Sequence, residues 1–195
     1  MTPLTQVGML VINTLVGLYL LVVILRFLLQ LVRADFYNPI SQFIVKATNP
    51  PLIPLRKVIP GFGGIDIASL TLALLVQIIA IVLILLLNGI QPPPLEVVMW
   101  SAIGIISLVL KVYFWGLLIT VIASWIAPNS YNPALILINQ ILEPAIKPIR
   151  KLMPDMGGID ISPIVVFLLI QVLEILVVKG LAQASGMPSG LVMGI

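Results

Sequence analysis

The sequence predicts an all-α membrane protein with four transmembrane helices in two parallel repeats. Three observations support this fold class. Hydrophobic residues make up 61% of the chain and charged residues 9%, and the mean hydropathy is +1.23. That composition, together with apolar runs longer than ~18 residues, indicates membrane spans. A polar, proline-rich stretch occurs twice, and Lys and Arg are concentrated in two loops on one side of the predicted membrane.

The four predicted spans cover about residues 8–32, 67–87, 95–127 and 161–178. At ~1.5 Å per residue the first reaches ~37 Å, which is enough to cross a bilayer with some tilt. The third is so long that part of it must tilt or project from the membrane. The Gly-, Ser- and Met-rich residues after the fourth span are expected to be loosely ordered.

The doubled stretch covers residues 37–66 and recurs without a gap, 94 positions later, at residues 131–160. Because Pro and Gly constrain φ and ψ directly, their matched positions indicate a shared backbone path. The matched residues of the first copy are Tyr37, Asn38, Pro39, Pro50, Pro54, Arg56, Lys57, Pro60, Gly63, Gly64, Ile65 and Asp66. Those of the second copy are Tyr131, Asn132, Pro133, Pro144, Pro148, Arg150, Lys151, Pro154, Gly157, Gly158, Ile159 and Asp160. The chain therefore divides into a first unit, residues 1–94, and a second unit, residues 95–195.

A short helix is predicted between the two spans of each unit. In the first unit Asn38 suits the N-cap and Pro39 the first turn. The apolar residues that follow recur at i, i+3, i+4 and i+7, as on one face of a helix: Ile40, Phe43, Ile44 and Ala47. The segment is too short to span a bilayer. We interpret it as an amphipathic helix in the headgroup region or, equally, as a loop helix packed on its own bundle.

A proline-rich strap and a tight turn are predicted after this helix. The strap, residues 50–60, is expected to be extended because its prolines disfavour a helix. Gly63 and Gly64 predict the turn. Asp66 is expected to cap the next span, where its carboxylate also meets the positive end of the helix dipole, and Asp160 is its equivalent. A capping role is favoured over a catalytic one.

The distribution of basic residues predicts the orientation. Seven lie in the two long loops: Arg33, Lys46, Arg56, Lys57, Lys147, Arg150 and Lys151. On the opposite side only Lys179 follows a span. The positive-inside rule therefore places both long loops in the cytoplasm and both termini outside. Two spans per unit return the chain to its starting side, so the units are predicted to be related by an axis along the membrane normal.

The doubled motif resembles the YggT family of small multi-pass bacterial membrane proteins, which has plastid relatives. The resemblance rests on Tyr-Asn-Pro, Pro-x-Arg-Lys-x-x-Pro and Gly-Gly-Ile-Asp in both copies, and it covers nearly the whole chain. It implies a bacterial inner-membrane location, so the termini that the basic residues place outside are expected in the periplasm. Members of the family have been linked to osmotic tolerance, cell division, nucleoid distribution and maturation of membrane redox complexes. The resemblance carries no catalytic residues over to this chain.

Three charged residues within the spans are candidates for functional roles, because ionisable groups in a bilayer are costly. Arg26 lies ~10 Å from the end of its span and is interpreted as an anchor that snorkels to the interface. Lys111 and Glu174 are expected at similar depth on neighbouring spans. We predict that they form a buried pair, which either locks two helices together or belongs to a proton or cation path.

Two glutamines, Gln77 and Gln171, occupy equivalent positions of the two units. Their equal depth predicts a pseudo-symmetric hydrogen bond between helices, with a structural role favoured over ligand binding. The equivalent of Arg26 is Thr120, so any role of that arginine belongs to the first unit alone.

The sequence favours a non-catalytic function. It has no Cys and no His, and it contains no phosphate-binding glycine loop and no serine nucleophile elbow. We therefore expect no catalytic residue, cofactor or metal. The basic pairs are too few for nucleic acid and suit anionic lipid headgroups. The leading hypothesis is a scaffold or assembly factor that binds a membrane-protein partner or a second copy of itself. The alternative is an oligomeric ion-conducting or osmotic-stress-response transport protein.

Overall fold

The protein is a bundle of long apolar helices with two shorter helices on one side. The computed structural model describes residues 3–127, 130–153, 160–188 and 191. Its helices are α1 (Pro3–Leu31), α2 (Pro39–Val58), α3 (Ile67–Leu87), α4 (Pro94–Ile126), α5 (Pro133–Leu152), α6 (Ser162–Leu173) and α7 (Gly180–Ala184), with a π-helical segment, Glu174–Lys179, between the last two. Within these described residues, four helices are long and apolar enough to cross a membrane: α1, α3, α4 and the continuous Ser162–Ala184. The predicted all-α membrane fold is confirmed.

The repeat is visible in the helix boundaries. The loop helices α2 and α5 both begin and end 94 positions apart. α1 packs on α3 in the first unit and α4 packs on α6 in the second, while α3 packs on α4 and joins the units. In the described part of the chain, α3 and α6 do not touch. The spans thus follow one another in the order α1, α3, α4, α6.

The hydrophobic core forms two clusters of unequal size. The larger cluster draws buried side chains from both units, including Leu137 and Ile141 of α5, whereas the smaller one lies between α4, α5 and α6. The members of the smaller cluster are Leu117, Leu142, Ile146, Val166 and Ile170. Because the larger cluster contains residues of both units, its hydrophobic contacts stabilise the packing of one unit on the other.

The predicted Asn caps of the loop helices form, whereas the N-cap of α6 is Ile161, one residue after the predicted Asp160. Asn38 accepts a hydrogen bond from the backbone N–H of Ile40, and Asn132 accepts one from Ala134, both at 2.9 Å. Pro39 and Pro133 occupy the first positions of α2 and α5. There the missing N–H costs nothing, because it would have had no partner within the helix.

The proline-rich strap is helical as far as Val58, so the prediction that it is extended is wrong except at its end, where Ile59 is extended. The internal prolines are Pro50, Pro51 and Pro54 in α2 and Pro144 and Pro148 in α5. Each removes one hydrogen bond from its helix. At roughly 100° per residue, however, the prolines of one helix lie within about a third of its circumference, so bonds on the other side remain. Fully buried Leu52 is an example of the packing that offsets the lost bonds.

The predicted apolar face of α2 is only partly buried against the bundle. Of the apolar residues expected on it, Ile44 is buried, but Ile40 and Phe43 are exposed. The buried stripe consists of Ser41, Ile44, Thr48 and Leu52. Its two hydroxyls are accommodated because each donates to a carbonyl oxygen: Ser41 Oγ to Asp35 at 2.8 Å and Thr48 Oγ1 to Ile44 at 2.7 Å. Periodicity identified a helix here but not the side that packs inward.

The fourth span is longer than predicted. It continues as helix to Ala184, into residues that were expected to be loosely ordered. Within it the π-helical segment begins at Glu174. Such segments insert an extra residue into a turn and occur frequently at functional sites.

Candidate functional site on the loop face

The candidate site is the loop face, which we define as α2, α5 and the segments that lead from them into the next spans. In the first unit Arg56, in the last turn of α2, binds Asp66 with 2.5 Å between Nη2 and Oδ2. Asp66 caps α3 by accepting from the Ser69 N–H at 3.3 Å and from the Ser69 hydroxyl. Arg56 also donates to Gln30 of α1 at 3.0 Å. One ion pair therefore ties together three helices.

The carboxyl of Asp66 is held ionised. Burial leaves its side chain only 3% exposed, and this opposes ionisation. Hydrogen bonds from Arg56 and Ser69 outweigh burial, so the pKa of Asp66 is lowered from its ordinary value. The predicted capping role of Asp66 is confirmed. Its charge is balanced by Arg56 at the end of α2.

Gly63 and Gly64, which lie between Arg56 and Asp66 in the chain, allow a tight backbone turn. Gly63 and Gly64 have φ of 61° and 84°. Phe62 and Ile65 flank them and exchange backbone hydrogen bonds of 3.3 and 3.0 Å. Two consecutive residues with positive φ make a tight two-residue turn that a side chain disfavours. The turn returns the chain so that Asp66 faces Arg56.

The second unit forms the same ion pair in a more exposed place. Arg150 donates through Nε to Asp160 at 3.0 Å, and their side chains are 53% and 42% exposed. Ser162 donates its backbone N–H to Asp160 at 2.9 Å. Ser162 and Arg150 together lower the pKa of the Asp160 carboxyl. The predicted turn at Gly157 and Gly158 lies outside the described residues.

The two units contact each other on the loop face, which sequence reasoning missed. Asn38 Nδ2 donates to the carbonyl of Pro133 at 2.8 Å, and Gln140 Oε1 accepts from the backbone N–H of Asp35 at 3.2 Å. Asn38 thus caps its own helix and also holds the start of α5. No sequence pattern predicts these two hydrogen bonds, because the two copies of the motif come into contact only when the helices pack.

Large apolar and basic side chains are exposed together on this face. Tyr37 and Tyr131, which open the two motif copies, are each 90% exposed. The exposed basic residues beside the ion pairs are Lys57 and Lys151. The exposed apolar residues near them are Val58, Phe62 and Leu152. A surface of this kind suits lipid headgroups or a protein partner.

Arg26 does not snorkel to the interface, and that interpretation is corrected. It is 6% exposed and lies beneath α2, where Nη1 donates to Thr48 Oγ1 at 3.3 Å. α2 covers Arg26, and Thr48 supplies the hydrogen-bond acceptor that water or headgroups would provide at the interface. Its unit-two equivalent, Thr120, cannot do this.

Lys111 and Glu174 line one cavity of about 200 Å³, together with Gln171 and Trp115. The direct pair that was predicted does not form: neither residue belongs to the ion pairs found within 4.0 Å among the described residues. Glu174 instead accepts a hydrogen bond from Ser107 Oγ at 3.2 Å. The Ser107 hydroxyl lies one turn before Lys111 on α4, and it takes the place of Lys111 as the partner of Glu174.

The predicted hydrogen bond between Gln77 and Gln171 is wrong. Gln77 is 1% exposed and packs against Gly104 of α4, whereas Gln171 is exposed on α6. Their helices do not touch in the described part of the chain. Equal depth put the two amides in the same layer of the membrane, but the helix order separates them.

No metal-binding cluster is found among the described residues. Within residues 3–127, 130–153 and 160–188, no group of three or more acidic, Cys or His side chains could hold a metal ion. The loop face thus contains two ion pairs, each of which joins a loop helix to the next span. Exposed basic and apolar side chains lie beside them.

Comparison with known proteins identifies a family whose model matches this chain. The model of the CCB3/YggT family matches the chain twice, over residues 5–87 and 99–181. An uncharacterised protein of Pseudomonas aeruginosa is 53% identical over 193 residues, 98% of both chains. The uncharacterised protein YggT of Escherichia coli K12 is 38% identical over 177 residues, 89% of this chain and 90% of the relative. An uncharacterised protein of Vibrio alginolyticus is 41% identical over 162 residues, 82% of this chain and 87% of the relative. No solved structure matches the chain.

Proposed function

The chain belongs to the CCB3/YggT family, and on that premise we propose that it is a non-catalytic scaffold or assembly factor of the bacterial inner membrane. Its loop face lies in the cytoplasm and docks a membrane-protein partner or anionic lipid. One observation carries the proposal: each unit fastens a proline-containing helix to the next span through an Arg–Asp ion pair. A pre-ordered surface of this kind binds with a smaller entropic cost than a flexible loop.

The charges of the loop face support lipid contact. Arg56 and Arg150 are occupied by carboxylates, but Lys57 and Lys151 follow them on exposed surface and take part in neither ion pair. A basic side chain near an anionic membrane surface contributes about 1 kcal/mol. Phe62 and Leu152 are exposed beside them and can enter the apolar part of the interface.

Orientation is tested by accessibility of introduced cysteines, because the chain has none of its own. Lys46→Cys and Lys147→Cys place a thiol on exposed positions of the two loop helices, and Gln91→Cys places one in the short connection on the other side. A membrane-impermeant thiol reagent added to intact cells should label only Gln91→Cys. Labelling of the two loop-helix variants from outside would reverse the orientation.

Binding is tested by purification from native membranes with their lipid. The double variant Lys57→Glu/Lys151→Glu should lose anionic lipid, or a stoichiometric partner, that the unchanged protein retains. Lys179→Glu is the matched control, because it reverses a charge that is exposed at the other end of the bundle. Equal retention by all three proteins would exclude this surface as the docking site.

The second candidate function is oligomeric ion conduction in the response to osmotic stress. The cavity shared by Lys111 and Glu174 favours it, because charged groups at mid-membrane mark ion and proton pathways. Purified protein in liposomes should then show ion flux that Glu174→Gln abolishes. Absence of flux together with a specific stoichiometric partner supports the scaffold instead.

A further inference from the structure

The face of α6 that carries Gln171 has a buried equivalent in the first unit. On α3 that face includes Gln77, Ala80 and Ile81, all of which are buried. The positions 94 residues later are Gln171, Glu174 and Ile175. Gln171 and Ile175 are exposed, and Glu174 is half-buried. The same helix face is thus inside the protein in one unit and open in the other.

The reason is that a second unit covers the first, but no third unit covers the second. Gln77 packs against Gly104 of α4 so closely that a Cβ there would lie 2.7 Å from Gln77 Nε2. α6 packs on α4 and α5. Its Gln171 face borders α4 only at the cavity that Gln171 shares with Lys111 and Trp115, and among the described residues no hydrogen bond reaches the Gln171 amide.

An open face of this composition is unusual at that depth. Gln171 lies ~14 Å from the start of α6 at ~1.5 Å per residue, within a hydrocarbon core of ~30 Å. Lipid tails offer no hydrogen bonds to the Gln171 amide, whereas Glu174 already accepts one from Ser107. The amide therefore favours a protein partner over lipid.

The residues around Gln171 form a helix-packing seam. Spacings of four, three and four separate the exposed residues of this stripe, which are Ile164, Leu168, Gln171 and Ile175. Such spacing is that of the seam between two helices packed at a shallow angle, with one polar residue that selects the register. We call this set the α6 seam.

We propose that the α6 seam is a dimer interface, and that its occupant is the α6 seam of a second copy of this chain, related by a two-fold axis along the membrane normal. Two copies inserted in the same orientation bring their Gln171 side chains to the same depth. An amide is both donor and acceptor, so two of them pair reciprocally across the axis. A foreign helix would need a matching polar group in that layer.

The charges beside the seam are compatible with a second copy. Glu174 is one turn from Gln171, and Lys111 lines the same cavity. Each copy therefore brings one positive and one negative group to the contact, and the two-fold axis adds the same set in reverse. This interface lies within the membrane, apart from the loop face, so it does not depend on the proposed docking function.

Disulfide cross-linking in native membranes tests the seam directly, because the natural chain lacks cysteine. Ile175→Cys, in the seam one turn from Gln171, should form a cross-linked dimer of twice the chain mass. Ile81→Cys is the matched control at the equivalent buried position, and Ile79→Cys reports random collision from an exposed position on α3. The proposal is overturned if Ile79→Cys cross-links as efficiently as Ile175→Cys, if Ile175→Cys stays monomeric, or if its products contain another protein.

The second measurement is the dimer fraction of fluorescently labelled full-length protein in liposomes, followed while the protein is diluted with lipid. Gln171→Leu should shift the dissociation midpoint by about tenfold towards higher protein density. Leu15→Ala, at an exposed position of α1, should leave it unchanged. A dimer that is insensitive to Gln171→Leu would place the interface elsewhere and overturn the proposal.

Discussion

The Arg56–Asp66 and Arg150–Asp160 ion pairs have the same spacing in the chain but different surroundings. In the first unit the carboxylate is 3% exposed, whereas in the second it is 42% exposed. Around the first pair, α1 contributes Gln30 as a further acceptor for the arginine. The equivalent residue in the second unit is Ser124, and it donates to the carbonyl of Val121 in its own helix.

The difference extends to the helix cap. Ser69 supplies a hydroxyl to Asp66, but its equivalent is Pro163, which has none. Arg26 fills the space beneath α2, whereas Thr120 leaves a groove of about 410 Å³ between α4 and α5. The motif therefore determines the local ion pair, and its neighbours determine how much that pair stabilises the fold.

Removing the two carboxylates should show the largest contrast between the units. Asp66→Ala removes a buried cap and leaves Arg56 without its carboxylate, which should lower the free energy of unfolding by about 3 kcal/mol. Asp160→Ala breaks an exposed pair and should cost about 1 kcal/mol. Unfolding of the purified variants in mixed micelles measures both values. Equal losses would mean that burial does not distinguish the two sites.

Filling the contact between the units should have an intermediate effect. Gly104→Val introduces a side chain where a Cβ would already lie 2.7 Å from Gln77 Nε2, and should cost about 2 kcal/mol. Gln77→Ala makes room for it, so the double variant should be more stable than the sum of the single losses implies. Leu10→Val, at the exposed equivalent of Gly104, is the control and should be nearly neutral. Strict additivity would show that the two side chains do not meet.

The charged residues that only the second unit possesses should show a smaller coupling. Their equivalents in the first unit are Gly17 and Ala80. Since Lys111 and Glu174 share a cavity without a close ion pair, the coupling between Lys111→Met and Glu174→Leu should be about 1 kcal/mol. Thermal stability of both single variants and the double variant gives this value. If each single change is harmless and the double change is additive, the two groups are independent.

The dependence of stability on pH should show the smallest contrast. The pKa of both Asp66 and Asp160 is lowered from 3.8 in the folded protein. Their contribution is therefore complete above that value and is lost as the pH falls below it through the folded-state pKa. Asp66→Asn should flatten this acid loss more than Asp160→Asn, because Asp66 has more hydrogen-bond donors to lose. The opposite order, in unfolding measured from pH 5 to pH 2.5, would contradict the comparison.

The sequence by itself determined the elements whose causes are local. Four apolar runs specify the spans, because length and hydropathy suffice for a helix in lipid. Asn38, Asp66 and the Gly63–Gly64 turn were predicted correctly, because caps and positive φ depend on a few neighbouring residues. The repeat was readable from proline and glycine positions, which restrict the backbone wherever they occur.

Only the tertiary structure decided which helix faces are inside. The prolines of α2 looked like helix breakers, yet α2 continues through them and buries Leu52 against the bundle. Gln77 and Gln171 looked like partners, yet α4 covers one of them and leaves the other open. Arg26 looked like an anchor but is enclosed by α2. In each case the sequence defines the depth and the chemistry of a side chain, while its partner depends on the order in which the helices pack. That order reflects contacts summed over whole helices, which no single motif records.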